Sequence, residues 1–556
     1  MRRFVTALTL GLILTAPVVA QETVTVDGTE VKRVIIAPPR SELARIMKAG
    51  LAAAYKSAIP ASRAYADSQK LYFFYGARHF EPIWLTSSSD GEVTFSTAAA
   101  SIIEVFKDAE AQGFRPSDYL TADLEVAAAG NDPLKLAALE TAFSAAALRY
   151  AQDAVGGRIN PRDVSDFWTI EPRQINASEI LLKLAAADDP GAILMDLHPK
   201  HREFLELREA LASFVDDSIE EPISIAEGPL LKPGMSDERV PLLRQRLNIA
   251  EEIAESAADA TVSIVYDSAL VEAVKAFQES LGLTVDGVMG PATVAALNGD
   301  GTTSRDDIIA NMERWRWMPE DRGDFHVDVN LPEFRLFVES GNAVEGYDVA
   351  YTTRVVIGTP KNQTPVFSDE IEHVVVNPYW NVPSSIARNE IGPAVYANPG
   401  YLASQNMELL SGGKVINASS VDWSSTSIDN FRIRQRPGAG NALGRIKFLF
   451  PNQHDVYLHD TPSKSLFERS YRAYSHGCVR VQNPMEFAGA LLSREPELTV
   501  ASLEAMFGSQ ERWNNLANHV PVHITYFTLR VDAAGAIKSY GDVYGHNKRM
   551  IALLAD

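Results

Sequence analysis

The apolar residues of this chain change their spacing at Gly299-Asp300-Gly301, and one hydrophobic core cannot serve both patterns. Before that point they recur every three or four residues, as in SELARIMKAGLAAAYKSA from Ser41 and LKLAALETAFSAAALRYAQDAV from Leu134, the spacing of one helix face. After it they alternate: Phe325, Val327, Val329 and Leu331 interleave with His326, Asp328 and Asn330, the pattern of a half-buried strand. A chain of 556 residues also exceeds what a single core holds. The expectation is an α+β multidomain protein of three or more units.

Residues 1–20, MRRFVTALTLGLILTAPVVA, read as a cleaved secretory signal: Arg2 and Arg3, a short apolar run, then small residues with Val18 and Ala20 at recognition spacing. Left uncleaved, they would form a single N-terminal membrane tether. Gln21 to Pro39 reads as an extended or poorly ordered arm, and a helical scaffold fills 21–230. Two aromatic clusters, Leu71–Tyr75 with Phe80–Trp84 and Asp166-Phe167-Trp168, read as core. Residues 300–556 form the strand-rich unit. Within it, about 383–440 is rich in Ser, Asn, Gly and Pro and lacks long strand patterns, which predicts a capping insertion or flap.

Residues 231–299 differ from both neighbours. Ser236 is placed to cap a helix carrying Val240, Leu243 and Leu247, and a second helix opens near Asp267 with Leu270, Val274, Phe277 and Leu281 on one face. Gly282 ends it, and the turn Asp286-Gly287-Val288-Met289-Gly290 leads to Pro291 at a helix start. This unit resembles the peptidoglycan-binding module of cell-wall enzymes, whose last helix follows a D-G-x-x-G-P-x-T turn, here Asp286 to Thr293.

The formal charge of −21, or −23 once Arg2 and Arg3 are removed, argues against nucleic acid as a partner, since phosphate binding needs clustered Lys and Arg. The single cysteine, Cys478, allows no internal disulfide. A lone thiol in an exported protein is either inert in a core or reactive.

Its surroundings favour reactivity. Tyr457-Leu458-His459-Asp460 precedes Ser475-His476-Gly477-Cys478-Val479-Arg480, with His459 nineteen positions before the thiol. Alternation along 456–459 puts Val456 and Leu458 on one face, Tyr457 and His459 on the other. A free thiol titrates near about 8.5, so a neighbouring imidazole is needed to make thiolate at neutral pH. His459 is the candidate base, its second nitrogen held by Asp460 through either carbonyl or carboxylate. Gly477 lets the backbone bend around a carbonyl, so the Gly477 and Cys478 amides are candidate oxyanion donors. Tyr457 helps place the substrate, and Ser475 and His476 shape the site. A zinc site of His454, His459, His476 and Cys478 lacks paired ligand spacing, so neither metal nor cofactor is expected. A papain-like enzyme would carry its cysteine before its histidine.

The string SHGCVR with the upstream YLHDTP resembles the signature of the L,D-transpeptidase (YkuD-type) catalytic domain. NMERWRWMP at Asn311–Pro319, YWNVP at Tyr379–Pro383 and RQRPGAGNALGRIKF at Arg434–Phe448 are similar to that family's large periplasmic branch. The resemblance implies a periplasmic enzyme acting on peptidoglycan stems: Cys478 as nucleophile, His459 as base, Tyr457, His476 and Gly477 lining the site, Trp380, Asn381 and Arg480 toward substrate. Many relatives carry asparagine where Arg480 stands, and its role is open between binding a substrate carboxylate and a structural ion pair. The implied reaction breaks the diaminopimelate–D-alanine bond of a tetrapeptide and passes the acyl group to a second diaminopimelate amine. The same site with water as acceptor gives an L,D-carboxypeptidase or a detachment reaction; a catalytically silent wall-binding scaffold is the reading from another class. No protein partner is legible.

Overall fold

The computed structural model describes residues 21–26, 29–60, 62–87, 92–121, 124, 130–214, 223, 225–226, 228–247, 249, 264–280, 285–298, 303–532 and 535–555. The leader 1–20, Leu281, Gly282 and the Gly299–Gly301 hinge lie outside them. The chain divides into two compact units, Met1–Arg158 with Pro172–Pro199 and Ile159–Glu171 with Lys200–Asp556.

In the first unit, β1 (Gln21–Val26) and β2 (Thr29–Val34) pair antiparallel, so the expected arm is a hairpin over this stretch. The helices Glu42–Ser57, Arg63–Ala77, Thr97–Lys107, Pro133–Gly156 and Ala177–Ala186 each begin at a Ser, Asp or Asn whose side chain accepts an early helical N–H. A short hairpin, β3 (Leu85–Ser87) and β4 (Val93–Phe95), completes it. Phe74, Tyr75, Phe80 and Trp84 sink into one core with Phe106 and Phe143. Glu140 is buried among them because its carboxylate accepts from the Tyr75 hydroxyl and the Ile83 amide, each at 2.7 Å.

The second unit contains the three-helix module: Val240–Arg246, Ser268–Ser280 and Pro291–Asn298 around Leu243, Tyr266, Leu270, Val274 and Leu297. Its first helix starts at Val240 rather than after Ser236, because Pro241 fits only the first turn. Gly287 takes a φ of 65°, and Gln278 stitches the turn, accepting from the Gly287 amide at 2.9 Å and donating to Asp286 Oδ1 at 2.9 Å.

The remainder is strand-rich: β5 (Phe325–Asn330), β6 (Arg335–Asn342), β7 (Gly346–Gly358), β8 (Phe367–Val376), β9 (Trp380–Asn381), β10 (Met407–Ser411), β11 (Lys414–Ile416), β12 (Arg432–Gln435), β13 (Ile446–Leu449), β14 (Leu458–His459), β15 (Ala473–Ser475), β16 (Val479–Val481), β17 (Arg512–Thr525), β18 (Leu529–Val531) and β19 (Ile537–Ser539). The main sheet runs β15-β7-β16-β14-β13-β8-β17-β5-β6, and β6 also pairs β7, so the order closes on itself. Trp168 belongs to this unit. It stacks edge-on against Trp317 at 5.3 Å, and the Thr169 amide donates to Val366 O.

The insertion carries a sheet of its own, ordered β11-β10-β12-β9, over a small core of Ile386, Val395, Leu402, Leu409, Ile428 and Ile433. This sheet begins at Trp380, three residues before the expected flap. The molecule is thus α+β, with helical, module and strand-rich cores.

Candidate active site

The pleat sorts the central strands onto two faces. Val374, Val376, Ile446, Phe448, Leu458, Val479 and Val481 enter the core. The residues between them face the other way. β14 pairs parallel with β16, Leu458 beside Val479 and His459 beside Arg480. On the other side of β14, Lys447 stands opposite His459; Val375 follows on β8 and Trp513 on β17. One row of the non-core face therefore reads Arg480, His459, Lys447, Val375, Trp513, with Tyr457 and Cys478 one pleat repeat away.

Cys478 lies in the connection between β15 and β16. Gly477 has a φ of 120°, a region closed to L side chains, while the nearest atom to an added Cβ is 3.5 Å away. Backbone conformation, not space, requires glycine here. Ser475 Oγ donates to Cys478 O at 2.5 Å and accepts from the Gly477 amide at 3.1 Å. Thr364 Oγ1 donates to Gly477 O at 2.8 Å and accepts from the Gly358 amide at 2.9 Å. Of the two amides expected to face an oxyanion, that of Gly477 is already engaged. The Cys478 amide makes no hydrogen bond among the described residues.

His459 is 4 % exposed, and its Nδ1 donates to Asp460 O at 2.5 Å. A carbonyl only accepts, so the proton sits on Nδ1 and Nε2 keeps its lone pair. The Asp460 carboxylate turns elsewhere, accepting from the Arg445 amide at 2.9 Å and Lys464 Nζ at 2.7 Å. Gly444 leaves room for it: a Cβ there would meet that carboxylate.

Burial, then the charge of Arg480, pushes the His459 pKa down to about 3, against the opposing pull of Asp460. Burial pushes the Cys478 thiol up to about 11, against hydrogen bonds from the Tyr457 amide and hydroxyl and the charge of Arg480. Both groups rest uncharged. Among the described residues no hydrogen bond joins them; the thiol contacts Tyr457 and, at 3.8 Å, Asp455 O.

The other sequence candidates fall in several places. His476 is exposed and pairs with Glu390 of the flap, Nε2 to Oε1 2.7 Å. Trp380 packs against the flap core, and Asn381 lies exposed on β9. Arg480 faces the site without an ion pair among the described residues, which leaves its guanidinium open to an external anion. His454 bonds to Thr169 Oγ1 at 2.7 Å, so it does not join His459, His476 and Cys478 as a ligand set. Sequence reasoning missed Lys447, Trp513 and Glu390. Lys447 sits between two inward-facing residues in RIKFLF, and only the neighbouring strands reveal that its own face is covered.

Three stretches of the chain match family models: a scaffold domain over residues 69–211, a "putative peptidoglycan binding domain" over 236–297, and the YkuD L,D-transpeptidase catalytic domain over 324–499. A relative from Haemophilus influenzae described as "Putative L,D-transpeptidase" is 34 % identical over 251 residues, spanning 44 % of this chain and 48 % of that protein. The chain thus covers about half the length of that relative. Among solved structures, the Ldtfm–avibactam carbamoyl enzyme is 12 % identical, covering 49 % of this chain and 84 % of its own, with a TM-score of 0.17. Bdellovibrio bacteriovorus Bd1075 is 16 % identical, covering 42 % and 54 %, with a TM-score of 0.15. Neither superposition carries an argument. The domain matches stand on their own, and they cover the Tyr457–Arg480 site. Through residues 324–499, the strand-rich part of the chain matches the YkuD L,D-transpeptidase catalytic domain, and that stretch contains the Tyr457–Arg480 site.

Proposed function

We propose that this protein is a periplasmic peptidoglycan L,D-transpeptidase that forms a thioester on Cys478. The observation that supports the reading most is the shared face of Tyr457, His459, Cys478 and Arg480, with Asp460 O fixing the imidazole tautomer. In the proposed cycle Cys478 Sγ attacks the diaminopimelate carbonyl of a tetrapeptide while His459 Nε2 takes the thiol proton. The Cys478 amide steadies the oxyanion. An imidazolium in so buried a place is a strong acid, suited to protonating the departing amine. The C–N bond breaks, D-alanine leaves, and a diaminopimelate amine on a second stem attacks the thioester. Its proton passes to His459, and Cys478 leaves as thiol.

The same proposal assigns 1–20 to an export leader, 21–230 to a scaffold, 231–299 to a wall-binding module and 300–556 to the catalytic domain, with 383–440 as its flap. No helix among the described residues is long and apolar enough to cross a membrane. Intact-mass measurement after incubation with a carbapenem is expected to show an adduct on the wild type and none on Cys478→Ala. An unmodified wild type would sink the proposal. Muropeptide analysis of treated tetrapeptide sacculi is expected to give cross-linked dimers; tripeptides alone would replace transfer with hydrolysis.

A further inference from the structure

Lys447 has no role in the reaction described above, yet it is placed as if it had one. Its side chain is 7 % exposed and makes no hydrogen bond or ion pair among the described residues. Two aromatic rings flank Nζ, Tyr457 at 5.5 Å and Trp513 at 5.3 Å. Aromatic faces attract a cation but do not neutralise it. The carboxylate whose charge acts on Lys447 is that of Glu511, which accepts from the Tyr379 amide at 2.9 Å and makes no ion pair with the lysine. An ammonium this buried is costly unless an anion completes its surroundings.

Register says where that anion would sit. Lys447 and Arg480 stand on either side of His459 in the same row, two inter-strand steps or roughly 10 Å apart. Both lie on the face that carries Cys478. Neither makes an ion pair among the described residues. The thiol is already served by the amide and hydroxyl of Tyr457, so it does not need the lysine. A peptide that ends one residue beyond the attacked carbonyl brings a free carboxylate roughly 3.8 Å further along its chain.

We propose that Lys447 binds the C-terminal carboxylate of the acyl-donor peptide, making the enzyme selective for donors with a free acid end. The inference rests on the functional reading above and deepens it. Arg offers a planar fork and Lys a point charge, so the two cations of the row are not interchangeable. Lys447, beside Tyr457, takes the single terminal carboxylate, and Arg480 remains beside the thiol.

The test is a binding cycle that needs no turnover. In a Cys478→Ala background, calorimetry compares a stem tetrapeptide with its C-terminal amide, with and without Lys447→Met. The free acid is expected to bind at least about tenfold tighter than the amide, and Lys447→Met to erase that ratio while leaving amide affinity unchanged. Lys447→Arg keeps the charge and is expected to retain part of the preference. Lys447→Met should also raise the thermal midpoint of the ligand-free protein, because an unpaired buried charge is replaced by an apolar chain. Equal binding of acid and amide, or a preference that survives Lys447→Met, would overturn the proposal. A wild type that releases no amino acid would sink the functional reading instead, while the acid-to-amide ratio still decides Lys447.

Discussion

Cys478 and His459 rest uncharged for one physical reason: the packing around the buried imidazole and the half-buried thiol penalises the charged form of both. The thiol titrates at about 11, so little thiolate exists before substrate arrives. Alkylation of the free enzyme by iodoacetamide should therefore keep rising with pH beyond the ordinary thiol range rather than levelling near about 8.5. Tyr457→Phe removes a hydroxyl that favours the thiolate, and the rate at pH 8 should fall about tenfold or more. A plateau below pH 9 in the wild type would contradict this account. The sequence already placed Tyr457 and His459 on one face, because alternation over 456–459 needs no partner strand. Lys447 was not legible in the same way. A lysine between apolar residues reads as the solvent side of an edge, and only β8, β14 and the ring of Trp513 turn that side into an interior.

At the scale of the element, the connection from Ser475 to Cys478 is held from below by Thr364, which lies 113 positions away on the turn between β7 and β8. Thr364→Val keeps the shape and removes the hydrogen bond to Gly477 O. It should lower kcat more than it raises KM, since the loop that positions Cys478, the proposed nucleophile, loosens while the proposed binding face stays. Gly477→Ala meets no close atom but must hold a φ of 120°, which costs about 1–3 kcal/mol. Differential scanning calorimetry should show its midpoint lowered, with activity lost beyond what that destabilisation explains; an unchanged midpoint would remove the strain argument. The insertion differs in composition from the strands around it, but its sheet was not legible in the sequence. Strands of two to five residues are too short for alternation to stand out from turn-rich surroundings. Ser236 failed as a helix cap for a similarly local reason, since Pro241 decided where the first turn begins.

Across the second unit, three buried histidines are kept neutral: His459 at about 3, His546 at about 4 and His523 well below the ordinary value, each through burial first. The unfolded chain takes up these protons near about pH 6.5 and the folded chain does not. Stability is therefore full above about pH 6.5 and declines as pH falls toward 4, because the unfolded state then binds more protons. His546, enclosed by Tyr526 at 4.9 Å and Trp168 at 5.6 Å, is far enough from the thiol in sequence and role to isolate the effect. Urea unfolding between pH 7 and 5 should show a slope reduced by up to about 1.4 kcal/mol per pH unit in His546→Gln; an unaltered slope would refute the assignment. The division into helical, module and strand-rich cores could be read from changes of period. The placement of Trp168 could not, since pairing with Val366 joins residues far apart in the chain.

The row from Arg480 through His459, Lys447 and Val375 to Trp513 takes one residue from each of five strands, of which β17 comes last in the chain. No N-terminal fragment that stops short of Trp513 contains it, and a growing chain carries its thiol before the row exists. A protease cut between β8 and β17 would not leave a slower enzyme. It would leave a population that is either reassembled and fully competent or inert, so graded activity in a nicked preparation would count molecules.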